Sequence, residues 1–238
     1  MELIENNFRQ GLKDGIPIGL GYLSVSFTFG MMAVTSGVPV GVAVMISLLN
    51  LTSAGQFSGL ALILAQGSYL ELALSQLVIN LRYALMSLSL TQKIDNKMKM
   101  SERAIIAYGI TDEIFALASS TYERVGKMYM FGLIAFPLFC WTFGTFLGGA
   151  ASNILPTVIR ESLGIAIYGM FLAIIIPPAK KLSSVRKVLI IAIIMSCVFA
   201  IIYPYIPVSS GFVIIICTVV ASALGAYFFP IEEVTHHE

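Results

Sequence analysis

Three ionisable residues sit where a chain this apolar has little reason to carry any. Arg82 is the only charge between Glu71 and Lys93, near the middle of the run Leu72–Thr91. Asp112 and Glu113 are adjacent, near the centre of a second apolar run over residues 104–122. Crossing a bilayer takes ~20 apolar residues, and a charge at mid-depth costs ~2.5 kcal/mol or more on insertion scales. Such a charge needs a counter-charge or water around it, and it marks a site. Arg82 and one of the acids make a natural ion pair. Two acids against one arginine leave one carboxylate unexplained. Neighbouring residues on a helix point about 100° apart, so one acid can pair while the other faces a cavity. Desolvation there raises its proton affinity, which suits a proton relay or a seat for a substrate ammonium group. The plainer alternative makes both acids structural counter-charges, and for Arg82 a structural role outweighs direct substrate contact.

Uncharged polar groups gather nearby in sequence. Gln76, Asn80, Tyr83 and Ser87 follow i, i+4, i+7, i+11 spacing and form a polar stripe along one helical face. Arg82 projects from another face, about 200° around from Asn80, toward a different helix. The long run 38–66 is interrupted by Asn50, Thr52, Ser53, Gly55 and Gln56. A helix beginning at that interruption aims free N–H groups and its positive dipole end at an anion. Gly55 and Gly59, four apart, equally fit close helix packing. Gly144 and Gly148 read as a packing face, Gly15/Gly19 and Gly37/Gly41 as packing or turns, and Pro177-Pro178, Pro204 and Pro207 as helix ends.

Composition fixes the solvent. Of 238 residues, 58% are hydrophobic and 11% charged, with mean hydropathy +0.90 and net charge +1. A soluble domain carries ~25% charged residues, so lipid must solvate this chain, and nothing in its charge suggests nucleic acid. Cys140, Cys197 and Cys217 lie singly in apolar runs, with neither metal-ligand nor disulfide spacing, and no cofactor motif is present. The polar N-terminus does not have the pattern of a cleaved signal peptide. His236 and His237 fall in an acidic tail read as solvated.

These features define an all-α polytopic integral membrane protein, a single transmembrane domain over residues 1–238. Its eight apolar runs lie at about 16–34, 38–66, 70–92, 103–122, 128–150, 162–178, 186–204 and 209–229. Long continuous runs favour helices over a barrel, whose strands alternate. Lys and Arg cluster at the N-terminus and in 93–103, 123–127 and 180–187. Eight simple crossings would put the loops at 93–103 and 180–187 on opposite sides, against the positive-inside rule. The conflict eases if the run 38–66 is broken or re-entrant near residue 53, and if 103–122 also fails to cross simply. A faint echo between Phe27-Thr28-Phe29-Gly30 and Trp141-Thr142-Phe143-Gly144 suggests two repeats, 8–123 and 124–229, of the kind transporters use.

Taken in order, several of these stretches carry a resemblance. Phe8-Arg9-Gln10-Gly11, Gly15-Ile16-Pro17, Phe29-Gly30, Ser53-Ala54-Gly55-Gln56-Phe57, Asn80-Leu81-Arg82-Tyr83, Thr111-Asp112-Glu113 and Trp141-Thr142-Phe143-Gly144 together resemble the AzlC family of branched-chain amino acid exporters, over nearly the whole chain. The resemblance implies export of leucine, isoleucine and valine across a bacterial-type cytoplasmic membrane. It also implies coupling to the proton gradient and a small hydrophobic partner subunit of the AzlD type. It assigns no residue roles.

The reading is therefore a secondary exporter of small apolar amino acids, not an enzyme. The substrate would be bound by Asn50, Ser53, Gly55, Gln56, Gln76, Asn80 and Tyr83. Arg82, Asp112 and Glu113 would serve proton coupling or an ion pair. The alternatives are a channel for ions or small solutes, and a membrane scaffold subunit of a larger transporter. An intramembrane enzyme is disfavoured, since no HExxH or GxSxG motif occurs and no apolar run holds a histidine.

Overall fold

The two apolar runs with polar middles do not form continuous helices. The computed structural model describes residues 4–152, 175–205 and 208–229, together with 154, 156, 158, 169 and 172. Within them lie α1 (Phe8–Thr35), α2 (Val40–Leu49), α3 (Ser53–Leu64), α4 (Tyr69–Leu90), α5 (Met100–Tyr108), α6 (Asp112–Thr121), α7 (Lys127–Ala151), α8 (Ser183–Ile202) and α9 (Ser210–Phe228). Residues 175–181 are also helical. Five helices (α1, α4, α7, α8 and most of α9) are long and apolar enough to cross a membrane. This is the expected all-α polytopic fold. The run 38–66 is split into α2 and α3, and the run 103–122 into α5 and α6. The run 162–178 lies largely outside the described residues, as do Pro207, His236 and His237.

The chain divides into two units, residues 1–60 with 79–165 and residues 61–78 with 166–238. The first is built on α1 and α7. A Cβ on Gly11 would strike the Tyr129 carbonyl, one on Gly132 the Phe8 carbonyl, one on Gly148 the Phe27 carbonyl and one on Gly30 the Thr145 carbonyl. Positions advance together on both helices, so α1 and α7 run parallel with backbones in contact. Close approach of this kind is what glycine permits in membranes, where packing rather than water expulsion drives association. Gly15 and Gly19 belong to this seam and not to turns. Gly37, with φ +93, does occupy a turn, the one that closes α1.

Both ends of the α5–α6 segment return to the end where α1 and α7 begin. Strand β1 (Ile4–Glu5) pairs in parallel with β2 (Arg124–Val125), and Ile94 bridges to Val125. Lys93 Nζ donates to the carbonyls of Ser119 and Tyr122 at the end of α6. Lys127 Nζ meets Glu102 Oε1 at 2.7 Å beside the start of α5. α5 and α6 thus form a hairpin that enters and leaves on one side. Ile106, Ile110, Ile114 and Ala118, spaced by four straight through the break, bury it against Met130, Leu133 and Ile134 of α7. The small strand pair, which hydropathy does not reveal, closes the base of this hairpin.

In the second unit α8 packs along α9, with Gly225 lying under Val188. Glu71, 4% exposed, accepts a hydrogen bond from the Gly211 N–H at 2.9 Å. This carboxylate occupies the positive end of α9, where an anion is stabilised. Pro177 and Pro178 fall inside the helical stretch 175–181 and do not end it. Pro204 does follow the end of α8.

Two measurements check this packing. Gly148→Leu drives a side chain into the α1 backbone and should lower unfolding stability in detergent by about 3 kcal/mol or more. Gly21→Ala, with open space around it, should leave stability equal or raise it by up to ~1 kcal/mol. The hydrogen bond from Lys127 holds the Glu102 carboxyl below the usual carboxylate range. A depressed value in the folded state adds stability above the unfolded value of about 4.3, and that stability is lost as pH falls through the folded one. Lys127→Gln should therefore lower the melting temperature at pH 7, and its difference from wild type should shrink below pH 4.

Candidate functional site

The site is assembled from the two breaks. α2 leaves the end where α1 closes: Val40 approaches Gly149, and Ser47 Oγ lies 2.6 Å from Thr145 Oγ1. The chain then unwinds over residues 50–52 and returns as α3. Ser47 Oγ meets Gln56 Oε1 at 3.2 Å, and Ala43 and Leu60 share a cluster with Phe29 and Ala33 of α1. The pairs 47–56 and 43–60 make α2 and the first turns of α3 a second hairpin, entering from the opposite end to the first. Helices α2 and α6 have ten residues each, about 15 Å of rise, or half the ~30 Å hydrocarbon thickness. The tips meet where the Tyr108 hydroxyl, at the end of α5, donates to the Leu48 carbonyl near the end of α2.

The two tips are built alike. Each unwinds through a buried aliphatic residue, Leu51 or Ile110, and then a buried threonine, Thr52 or Thr111. Each threonine restarts a helix by accepting a backbone N–H with its side chain. Thr52 Oγ1 takes that of Gly55 at 3.2 Å, and Thr111 Oγ1 takes that of Ile114 at 3.4 Å. This is N-capping, which satisfies one of the four orphan donors at a helix start. Both tips therefore hold the N-terminus of one half-helix and the C-terminus of another.

The charges lie at these tips. Asp112 Oδ2 pairs with Arg82 Nη1 at 2.9 Å. Arg82 Nη2 donates to the Tyr83 hydroxyl at 3.1 Å, with its guanidinium 4.9 Å from the ring centre, within cation–π range. Tyr83 in turn meets the side chain of Thr52. A chain Asp112–Arg82–Tyr83–Thr52 thus ties the start of α6 to the start of α3. Glu113 takes a different partner, the hydroxyl of Tyr22 on α1, which also lies 2.5 Å from Thr111 Oγ1. The Tyr22 ring packs edge-on to Trp141 of α7, centroids 5.4 Å apart. The Arg82 and Asp112 side chains remain 43% and 39% exposed, and Glu113 is exposed as well.

A buried polar line runs from the second tip to the spine. Gln56, Ser47, Thr145 and Ser26 are all 1% exposed or less. Thr145 Oγ1 reaches the carbonyls of Ser26 at 3.3 Å and Trp141 at 3.2 Å. Gln56 Nε2 and Trp141 Nε1 are buried with no partner among the described residues.

Of the residues singled out from sequence, Asn50, Ser53, Gly55 and Gln56 lie at or just after the first break. Arg82, Tyr83, Asp112 and Glu113 are joined as described, and Asn80 lies one turn before Tyr83 on α4. Gln76 belongs to the second unit. Tyr22, Ser47, Thr52, Tyr108 and Thr145 were not singled out as site residues. Tyr22 did carry a signal, since a tyrosine fourteen residues into α1 lies far from the interfacial belts where tyrosine concentrates. Among the described residues no cluster of three or more His, Cys, Asp or Glu side chains gathers for a metal.

Comparison with known proteins agrees with the architecture. The family model described as AzlC protein matches residues 17–155, which include both hairpins, all of α7 and α1 from Pro17 onward. The chain is 28% identical over 184 residues to inner membrane protein YgaZ of Escherichia coli (strain K12), covering 74% of this chain and 75% of that protein. It is 33% identical over 175 residues to an uncharacterized membrane protein of Archaeoglobus fulgidus, covering 73% and 76%. A Helicobacter pylori (strain 26695) membrane protein matches at 30% over 156 residues, covering 62% and 67%. No solved structure matches. This chain belongs to the AzlC family.

Proposed function

We propose that this protein is a proton-coupled secondary exporter of branched-chain or other small apolar amino acids, working with a small hydrophobic membrane subunit of the AzlD type. The observation that carries the reading is the meeting of two half-length hairpins beside an exposed ion pair. Charges so exposed are not stable against lipid, so the reading gives them a water-filled path. Interrupted helices near the midplane are the usual seat of substrate in secondary transporters.

The chemistry at the tips suits an amphoteric substrate. Half-helix starts at Ser53 and Asp112 offer N–H groups and positive dipole ends to a carboxylate. The ends of α2 and α5 offer carbonyls, and Glu113 offers a carboxylate, to an ammonium group. The orphaned amide of Gln56 adds a donor in the same region. The basic residues at the N-terminus and in 93–103 and 123–127 share one end of the first unit, and the positive-inside rule assigns that end to the cytoplasm. Location in the cytoplasmic membrane draws support from the Escherichia coli relative, whose name places that protein in the inner membrane.

The test is efflux of labelled leucine from preloaded vesicles, with and without a co-expressed small partner. Wild type with its partner should release leucine faster than empty vesicles. Arg82→Gln and Asp112→Asn should each reduce the rate about tenfold or more, since tenfold corresponds to 1.4 kcal/mol and stranding one member of a buried charge pair costs ~2 kcal/mol or more, discounted here for partial exposure. Folded wild type that releases no leucine in either setting would overturn the substrate reading.

A further inference from the structure

We propose that Glu113 is the proton-carrying site of this protein, that Tyr22 relays its protonation state to the start of α6, and that Asp112 is the counter-ion to Arg82. The proposal deepens the transporter reading and rests on it.

The two adjacent acids are compensated in different ways. Asp112 has a guanidinium at 2.9 Å. Glu113 has a phenol, and among the described residues no lysine, arginine or histidine pairs with it. Removing a proton from Glu113 therefore leaves a charge that one neutral donor and water must stabilise. Removing one from Asp112 completes an ion pair. Of the two, Glu113 can cycle between states without breaking a salt bridge. It is exposed, as a group exchanging protons with water must be.

Its surroundings name few competitors. From α1 comes Tyr22. From α4 come Arg82 and Tyr83, already engaged with Asp112 and with each other. On its own helix stands Asp112, and α5 ends in Tyr108, whose hydroxyl is given to Leu48. α7 contributes the uncharged ring of Trp141 against Tyr22.

The Tyr22 hydroxyl has one proton and two close oxygens, Glu113 Oε2 and Thr111 Oγ1. With Glu113 ionised, that proton points to the carboxylate, and Thr111 gives its own proton to Tyr22. When a proton from water binds Glu113 Oε2 and the carboxyl donates it to Tyr22, the phenol oxygen becomes the acceptor. The Tyr22 proton then turns to Thr111 Oγ1, and the Thr111 proton must find another acceptor. Thr111 is the residue that caps α6, so a proton held at Oε2 changes the bonding at the hairpin tip. No bond other than these O–H contacts is made or broken, and the charge gained is the one proton.

Trp141 is the only tryptophan in the chain and touches Tyr22, so its emission reports on this relay without any substrate. In purified protein, wild type and Asp112→Asn should show a pH-dependent step in tryptophan fluorescence. Glu113→Gln and Tyr22→Phe should show none. In vesicles, the pH dependence of leucine efflux should flatten in Glu113→Gln. A step that persists in Glu113→Gln, or that is missing from wild type, would overturn the proposal. An intact step in wild type that emits no leucine would instead overturn the choice of substrate and leave the proton site standing.

Discussion

Peptide groups left without hydrogen-bond partners cannot face lipid. The first unit of this protein places two unwound stretches, residues 50–52 and 109–111, between the two ends of its spine, and much of its remaining structure answers that constraint. The threonine caps and the Tyr108 hydroxyl on Leu48 each satisfy a group that an interrupted helix exposes. The aliphatic residue in each break, Leu51 or Ile110, is buried, which keeps the tip among protein rather than lipid. An interrupted helix is tolerable here because α1 and α7 stand beside it.

That support depends on unusual closeness. Glycines on α1 and α7 take turns receiving the backbone of the other helix, so the two form one rigid post with little side chain between them. The hairpins lean on it from opposite ends: α5 and α6 through Ile106, Ile110 and Ile114, α2 and α3 through Ala43 and Leu60. The polar line Gln56–Ser47–Thr145–Ser26 crosses from one tip into the post itself.

Much of this was legible in the residues. Hydropathy alone points to the five membrane-length helices among the described residues, and the clash between charge placement and simple crossings points to the interruptions near Ser53 and within 103–122. Arg82 and Asp112 were recognisable as partners because each is costly alone. What escaped was the identity of the hydroxyl groups that complete the site. A serine or threonine in an apolar run is cheap and common, and spacing cannot say whether Ser47 faces Thr145 or lipid. Thr111 was read with the acids, yet Thr followed by two acids is also a helix-start signal, and would have placed the second break. The strand pair at the base of α5–α6 escaped because two residues are too few to show a period.

The spine also sets a timetable for how the chain is made. Its two helices lie roughly 120 residues apart in sequence, and at ~5–20 residues per second of synthesis α1 waits on the order of ten seconds for α7 to emerge. During that interval the glycine face of α1 has nothing to pack against, and both hairpins must be held by something other than their final neighbour. Biogenesis of this protein is thus bound to whatever shelters a half-built bundle in the membrane. A ribosome that stalls before residue 151 leaves behind a fragment with interrupted helices and no post to carry them, a natural substrate for membrane quality control.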